Sequence, residues 1–258
     1  MSDDIRRSSY SLGMVIKTGW LEFLKNFNTI IPITLLVYIP VNIVLSFVPV
    51  DHLIENYGIK GFEIYLRIVQ LLKFFFGVLV TMSVAKIIEL SISGQEITWK
   101  RAFGFSLSRW SASVGTGILC GLIVFGLLLL LIIPGIIWGL YYTFFIYVVA
   151  LRGLSGKKAL NYSKVIVKGQ WWKVFSYLLV VGICGFLASR LAGLPFGRIP
   201  NNVLMGIISG TIMDIASVPF TVMAIIFFLN NDYIKQQQTE VAEAVQGAES
   251  AEPASETP

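Results

Sequence analysis

One carboxylate stands where a carboxylate is costly. In VLMGIISGTIMDIASVPFTVMAIIFFL, residues 203–229, Asp214 lies mid-way along a run with no other charge. A charge at the bilayer centre costs about 3 kcal/mol even on the lenient insertion scale, so this side chain is expected to face other helices or a wet cavity. Five residues on, Pro219 cannot donate a backbone hydrogen bond and clashes with the preceding turn. Ser209, Thr211 and Ser217 supply hydroxyls for freed backbone groups. Gly206 and Gly210 form a GxxxG face that admits a second helix closely. A helix broken beside an acid is one way to hold an ion or substrate; a protonated or hydrogen-bonded Asp214 on a merely kinked helix is the alternative. Arg190, in the preceding apolar run, is the candidate partner. The candidate intramembrane polar site is therefore Asp214, Arg190, Ser217 and Pro219.

Reactive groups are sparse elsewhere. His52, the one histidine, sits beside Asp51, and Glu55 and Glu63 follow at no recognisable ligand spacing. Metal sites and histidine acid–base catalysis need convergent partners. Cys120 and Cys184 lie far apart inside apolar runs and read as packing residues. The chain contains no GxSxG, no HExxH and no glycine-rich phosphate loop. The sequence thus offers no catalytic residue, no cofactor-binding residue and no metal ligand, and the expectation is a protein that is not an enzyme and needs no cofactor.

A second constellation is basic. In LSGKKALNYSKVIVKGQWWKVF, residues 154–175, Lys157, Asn161, Lys164 and Lys168 recur at helical spacing, with Ala159, Leu160, Ile166 and Val167 mostly away from them. Trp171, Trp172 and Lys173 follow where an apolar run begins, the usual place for interfacial aromatics and cations. Lys157, Lys158, Lys164, Lys168, Trp171, Trp172 and Lys173 therefore predict a lipid-facing basic helix, drawn to anionic lipid by about 1 kcal/mol per lysine. The N-terminus echoes the design, with Leu12, Ile16, Trp20, Phe23 and Phe27 forming an apolar stripe. An offset of 148 residues places Phe23 on Trp171 and Lys25 on Lys173. A third copy, 97–115, would make three units of an amphipathic helix plus two spans.

The rest of the chain must position these groups in a membrane. Only 14% of its 258 residues are charged, against about 25% in a soluble domain, and mean hydropathy is +0.75. Runs of about 20 apolar residues predict spans near 29–49, 68–88, 113–133, 136–151, 174–193 and 203–229, with Pro134-Gly135 as the turn between the third and fourth. Residues 113–151 would alternatively form one re-entrant hairpin. Lys73 and Lys86 read as side chains snorkelling from the second span. No secretory signal is expected: Asp3, Asp4 and Glu22 precede or interrupt any h-region. With the N-terminus in the cytoplasm, only Lys60, Arg67, Lys73, Arg190 and Arg198 fall outside, and the other fifteen of twenty Lys and Arg fall inside. That asymmetry predicts both termini in the cytoplasm of an inner membrane and accounts for the net charge of +5 without nucleic acid. Residues 1–28 read as a cytoplasmic amphipathic helix, 29–230 as the membrane domain, and 231–258, rich in Glu, Ala, Gln, Ser and Pro, as a disordered acidic tail.

The run IIPGIIWGLYYTFFIYVVALRGLSGKKALNYSKVIVKGQWWKVF, residues 132–175, resembles the membrane domain attached to some glycerophosphoryl diester phosphodiesterases and the related YciC-like multi-pass proteins of bacteria and archaea. The resemblance rests on Pro-Gly, an aromatic-rich span, a short turn and a basic helix of Ala-Leu-x-x-Ser type, here Ala159, Leu160 and Ser163, and covers about a sixth of the chain. It implies a membrane module without the enzyme, since this chain has no room for the catalytic barrel and lacks its acidic and histidine ligands. The reading is an all-α polytopic membrane bundle, about six spans with amphipathic interfacial helices, acting in envelope or lipid-related physiology. The alternative is a small-solute or lipid transporter using a broken sixth helix around Asp214. The expected partners are membrane lipids, anionic ones on the inner leaflet, and a protein partner or second copy.

Overall fold

The computed structural model describes residues 5, 8–198 and 203–251. They are all-helical: α1 (Leu12–Lys25), α2 (Phe27–Ser46), α3 (Val50–Tyr57), α4 (Ile59–Ile92), α5 (Trp99–Leu130), α6 (Ile132–Tyr141), the short α7 (Phe145–Tyr147) leading into a π-helical turn (Val148–Arg152), α8 (Gly156–Val167), α9 (Trp171–Gly193) and α10 (Val203–Ala251). Six segments are long and apolar enough to cross a membrane: Phe27–Ser46, Ile59–Ile92, Trp99–Leu130, Ile132–Arg152, Trp171–Phe196 and Val203–Glu243. The protein is a polytopic α-helical membrane protein.

The last helix is the hub. α10 packs on α9, α1 and α2 and touches α4, and nearly every residue from Val222 to Asp232 is buried. The second half of α4, from Val78 to Ile92, is almost as enclosed. By contrast, Leu128 to Ile133 at the apex of the α5–α6 hairpin stay largely exposed, as apolar side chains facing acyl chains do without penalty. Close approaches rest on glycine: a Cβ on Gly19 of α1 would stand 2.6 Å from Met223 Cγ and 2.9 Å from its Cα.

Several boundaries differ from the sequence reading. The chain turns at Leu131 (φ −154°), three residues before Pro134. Pro134 instead occupies the first turn of α6, where a missing N–H breaks no helical bond. The third amphipathic helix is not separate: 97–115 merges into α5, because nothing between Trp99 and Leu130 stops a helix. In α1 the stripe Leu12, Ile16 and Trp20 faces outward, while Val15, Gly19, Glu22 and Phe23 are buried against the bundle. The tail is also corrected. α10 continues from 231 to Ala251 instead of unravelling, because Asn231 and Asp232 are buried and the Glu, Ala and Gln beyond them extend a helix that is already nucleated. Residues 252–258 lie outside the described ones.

One irregular stretch, between Tyr141 and Gly156, is held by side chains. Arg109 donates to the carbonyls of Val149 (3.1 Å) and Ala150 (2.9 Å) in the π turn. Ser163 donates to Tyr141 O (2.8 Å) and accepts from Phe144 N (3.1 Å). Thr116 accepts from Gly156 N (2.8 Å). Non-helical backbone inside a membrane protein needs such internal partners, which gives the serine of the Ala-Leu-x-x-Ser pattern a structural task.

Candidate functional site

Asp214 is 9% exposed and both its oxygens are taken. Lys73 Nζ of α4 lies 2.5 Å from Oδ1, and Asn42 Nδ2 of α2 donates to Oδ2 at 3.0 Å. The same amide nitrogen lies 3.2 Å from Thr211 Oγ1, one turn before the acid. Gly210 makes room for it, since a Cβ there would come within 3.0 Å of Asn42 Oδ1. The Tyr38 ring lies 5.9 Å from the ammonium. Three helices thus converge on one carboxylate, which no single-helix pattern could reveal.

Three expectations change. Arg190 is not the partner of Asp214: it is exposed, its guanidinium lies 5.1 Å from the Phe186 ring centre, and among the described residues it forms no ion pair. Lys73, expected to snorkel, instead pairs with Asp214, its side chain one-third exposed. The helix is not broken: α10 runs through Pro219, with Ser217 Oγ bonded to Asp214 O at 2.6 Å. The buried faces of neighbouring helices hold the turn despite the lost bond. What remains of the candidate set is Asp214 and its Ser217 and Pro219 neighbours, joined by Lys73, Asn42 and Thr211.

A second charged cluster joins the other ends of α4 and α10. Arg152, ending the π turn, donates from Nε to Asp232 Oδ2 at 2.9 Å, again from Nη2, and from Nη1 to Glu89 Oε1 at 2.8 Å. Lys86 reaches Glu89 Oε2 at 2.8 Å. Tyr162 of α8 donates to Asp232 Oδ1 at 2.8 Å, and Gln236 donates to Oδ2 at 2.9 Å. The Asp232 side chain is fully buried, so the network must satisfy it or the charge would not be tolerated. Burial pushes the Tyr162 phenol above its ordinary range, opposed first by the hydrogen bond from Gln236 and assisted by the charge of Asp232.

Two further contacts fix the N-terminal segment. Asn230 accepts from Tyr10 N (2.9 Å) and donates to Ile5 O (2.8 Å) and Ser8 O (2.7 Å), clasping the chain ahead of α1. Glu22, 1% exposed, accepts from Ser91 Oγ at 2.7 Å and Asn26 Nδ2 at 3.1 Å.

The basic helix is α8. Lys157, Lys158 and Lys168 are exposed. Lys164 is half-buried, its ammonium 4.1 Å from the Trp138 ring centre. Trp172 is 73% exposed, and Trp171 stacks on Phe175 at 5.4 Å. Lys173 departs from the expected lipid-facing set. It bends toward the N-terminal segment, donating to the exposed Ser9 Oγ at 2.5 Å, with its ammonium 5.6 Å from the Phe227 ring centre. His52 is 78% exposed, 3.8 Å from Glu55. Among the described residues no three His, Cys, Asp or Glu side chains are placed to hold a metal ion, and Cys120 and Cys184 are free thiols.

No protein-family model, no curated protein and no solved structure matches this chain.

Proposed function

We propose that this protein is a non-enzymatic membrane module, an accessory protein of envelope or lipid-related physiology, in which buried charged side chains assemble the helices. The observation that carries this reading is the full occupancy of Asp214. One oxygen is held by Lys73 and the other by Asn42, so the acid ties α2, α4 and α10 together. A polar group already satisfied by neighbouring helices acts as an interhelical tie. The resemblance to membrane domains that accompany phosphodiesterases agrees with a module that does no chemistry itself. The surplus of lysine and arginine in one set of loops supports a cytoplasmic-membrane setting with both termini inside.

The test is Asp214→Asn, with abundance, thermal stability and lipid-dependent growth measured in parallel. Lowered stability with no solute flux in proteoliposomes supports the module. Unchanged folding with lost flux of a solute defeats it in favour of transport. That second reading has one observation behind it: the Lys73 side chain is one-third exposed beside Asp214, so the pair can be approached from outside the bundle. Orientation is checked by labelling single cysteines introduced in α3 and α8; labelling of α8 from the outer side would overturn it.

A further inference from the structure

The structure contains a groove where α9 begins. It has a volume of about 490 Å³ and is lined by Ile133, Ile136 and Ile137 of α6, Tyr141 at its end, and Trp171 and Trp172 of α9. Its wall holds a polar atom without a partner: the Trp171 indole N–H is buried and makes no hydrogen bond. A buried donor left unpaired costs on the order of a hydrogen bond, so the site is incomplete as it stands. Beside the groove, the Lys164 ammonium lies 4.1 Å from the Trp138 ring centre and 5.9 Å from that of Tyr141. Among the described residues the Lys164 ammonium forms no ion pair. Lys168 follows one turn later and is exposed.

We infer that this groove is a specific site for an anionic phospholipid. The isoleucines accept an acyl chain, Trp171 Nε1 donates to a headgroup oxygen, and Lys164 neutralises the phosphate. Charge complementarity selects this occupant: a neutral lipid would leave Lys164 unpaired, and a hydrocarbon alone would leave the indole N–H unsatisfied. The site is separate from the Asp214 cluster, and it goes beyond general attraction of a basic helix to a surface because it names one lipid in one groove.

The test uses the full chain in nanodiscs of phosphatidylcholine doped with phosphatidylglycerol, with native mass spectrometry of retained lipid. The wild-type protein is expected to keep one phosphatidylglycerol in preference. Lys164→Gln should lower that retention about fivefold, the factor one lysine supplies near an anionic surface. Trp171→Phe keeps the ring, removes the donor and should weaken retention similarly. Ile136→Trp fills the groove from α6 and should abolish it, and it stands in if Trp171→Phe fails to fold. Circular dichroism confirms that each variant is helical. Equal retention of phosphatidylcholine, unchanged retention in folded Lys164→Gln and Ile136→Trp, or a second copy of the chain occupying the groove each overturns the inference.

Discussion

Lys73→Met removes the cation from Asp214 and leaves a carboxylate whose side chain is 11% exposed. Breaking a buried pair from one side costs about 3–5 kcal/mol, because the surviving charge is stranded. One feature pulls the value to the low end: Asn42 still donates to Oδ2. A loss of about 3 kcal/mol follows. Asp214→Asn is milder, about 1–2 kcal/mol, since the Lys73 side chain is one-third exposed and can reach a polar environment. Replacing both, Lys73→Met with Asp214→Leu, exchanges the pair for apolar groups, which is often close to neutral. Thermal unfolding in nanodiscs reads all three. At roughly 2–4 °C per kcal/mol for a chain of this size, Lys73→Met should melt about 10 °C lower, and the double variant should recover most of that. If the double variant melts no higher than Lys73→Met alone, removing the stranded acid restores nothing and the interhelical tie is refuted.

Four other outcomes are expected. Gly19→Val should destabilise the packing of α1 on α10 by about 1–3 kcal/mol, since its Cβ would stand 2.9 Å from Met223 Cα, a backbone atom that cannot swing aside; scanning calorimetry and protease resistance of α1 check this. Asn230→Ala removes three hydrogen bonds to residues 5–10 and should open that segment to limited proteolysis ahead of α1 while the spans stay intact. Arg152→Met leaves the fully buried Asp232 without its cation and Glu89 with Lys86 alone, so expression and melting temperature should fall by more than for Lys73→Met. Lys157→Gln with Lys164→Gln and Lys168→Gln should leave melting nearly unchanged but weaken binding to anionic vesicles and shift the cysteine-labelling pattern of α8.

Hydropathy made the six apolar segments legible because twenty consecutive apolar residues leave few other folds. Asp214 was legible for the same reason, as an acid with no nearby escape to water. Its partners were not. Lys73 lies close enough to a predicted span end to be read as snorkelling, and Asn42 is neutral inside an apolar run. Their contacts with Asp214 bridge 141 and 172 residues, a separation that only the topology closes. Arg190 is nearer in sequence, but α9 presents it outward beside Phe186. Asp232 was hidden by composition: it opens the polar stretch after the last apolar run, and its burial depends on Arg152 and Tyr162 meeting there. Ser163 was visible only as part of a pattern, since its task is to bond the backbone break at Tyr141 and Phe144.

The cations divide by what surrounds them. Counted along the chain, lysine and arginine all contribute to the same orientation signal. In the fold, Lys73 is neutralised by Asp214 and Arg152 by Asp232 and Glu89. A charge neutralised at close range exerts little field beyond a Debye length of about 8 Å, so these residues act on helix assembly. Lys157, Lys158 and Lys168 are exposed on α8 with no acid in the surrounding sequence from 97 to 213. These three exposed lysines lie next to the groove whose indole N–H lacks a partner, while Lys100 and Arg101 are exposed at the start of α5. An anionic headgroup placed there answers both the unpaired charge and the unpaired donor, which neither bulk solvent nor a neutral lipid does.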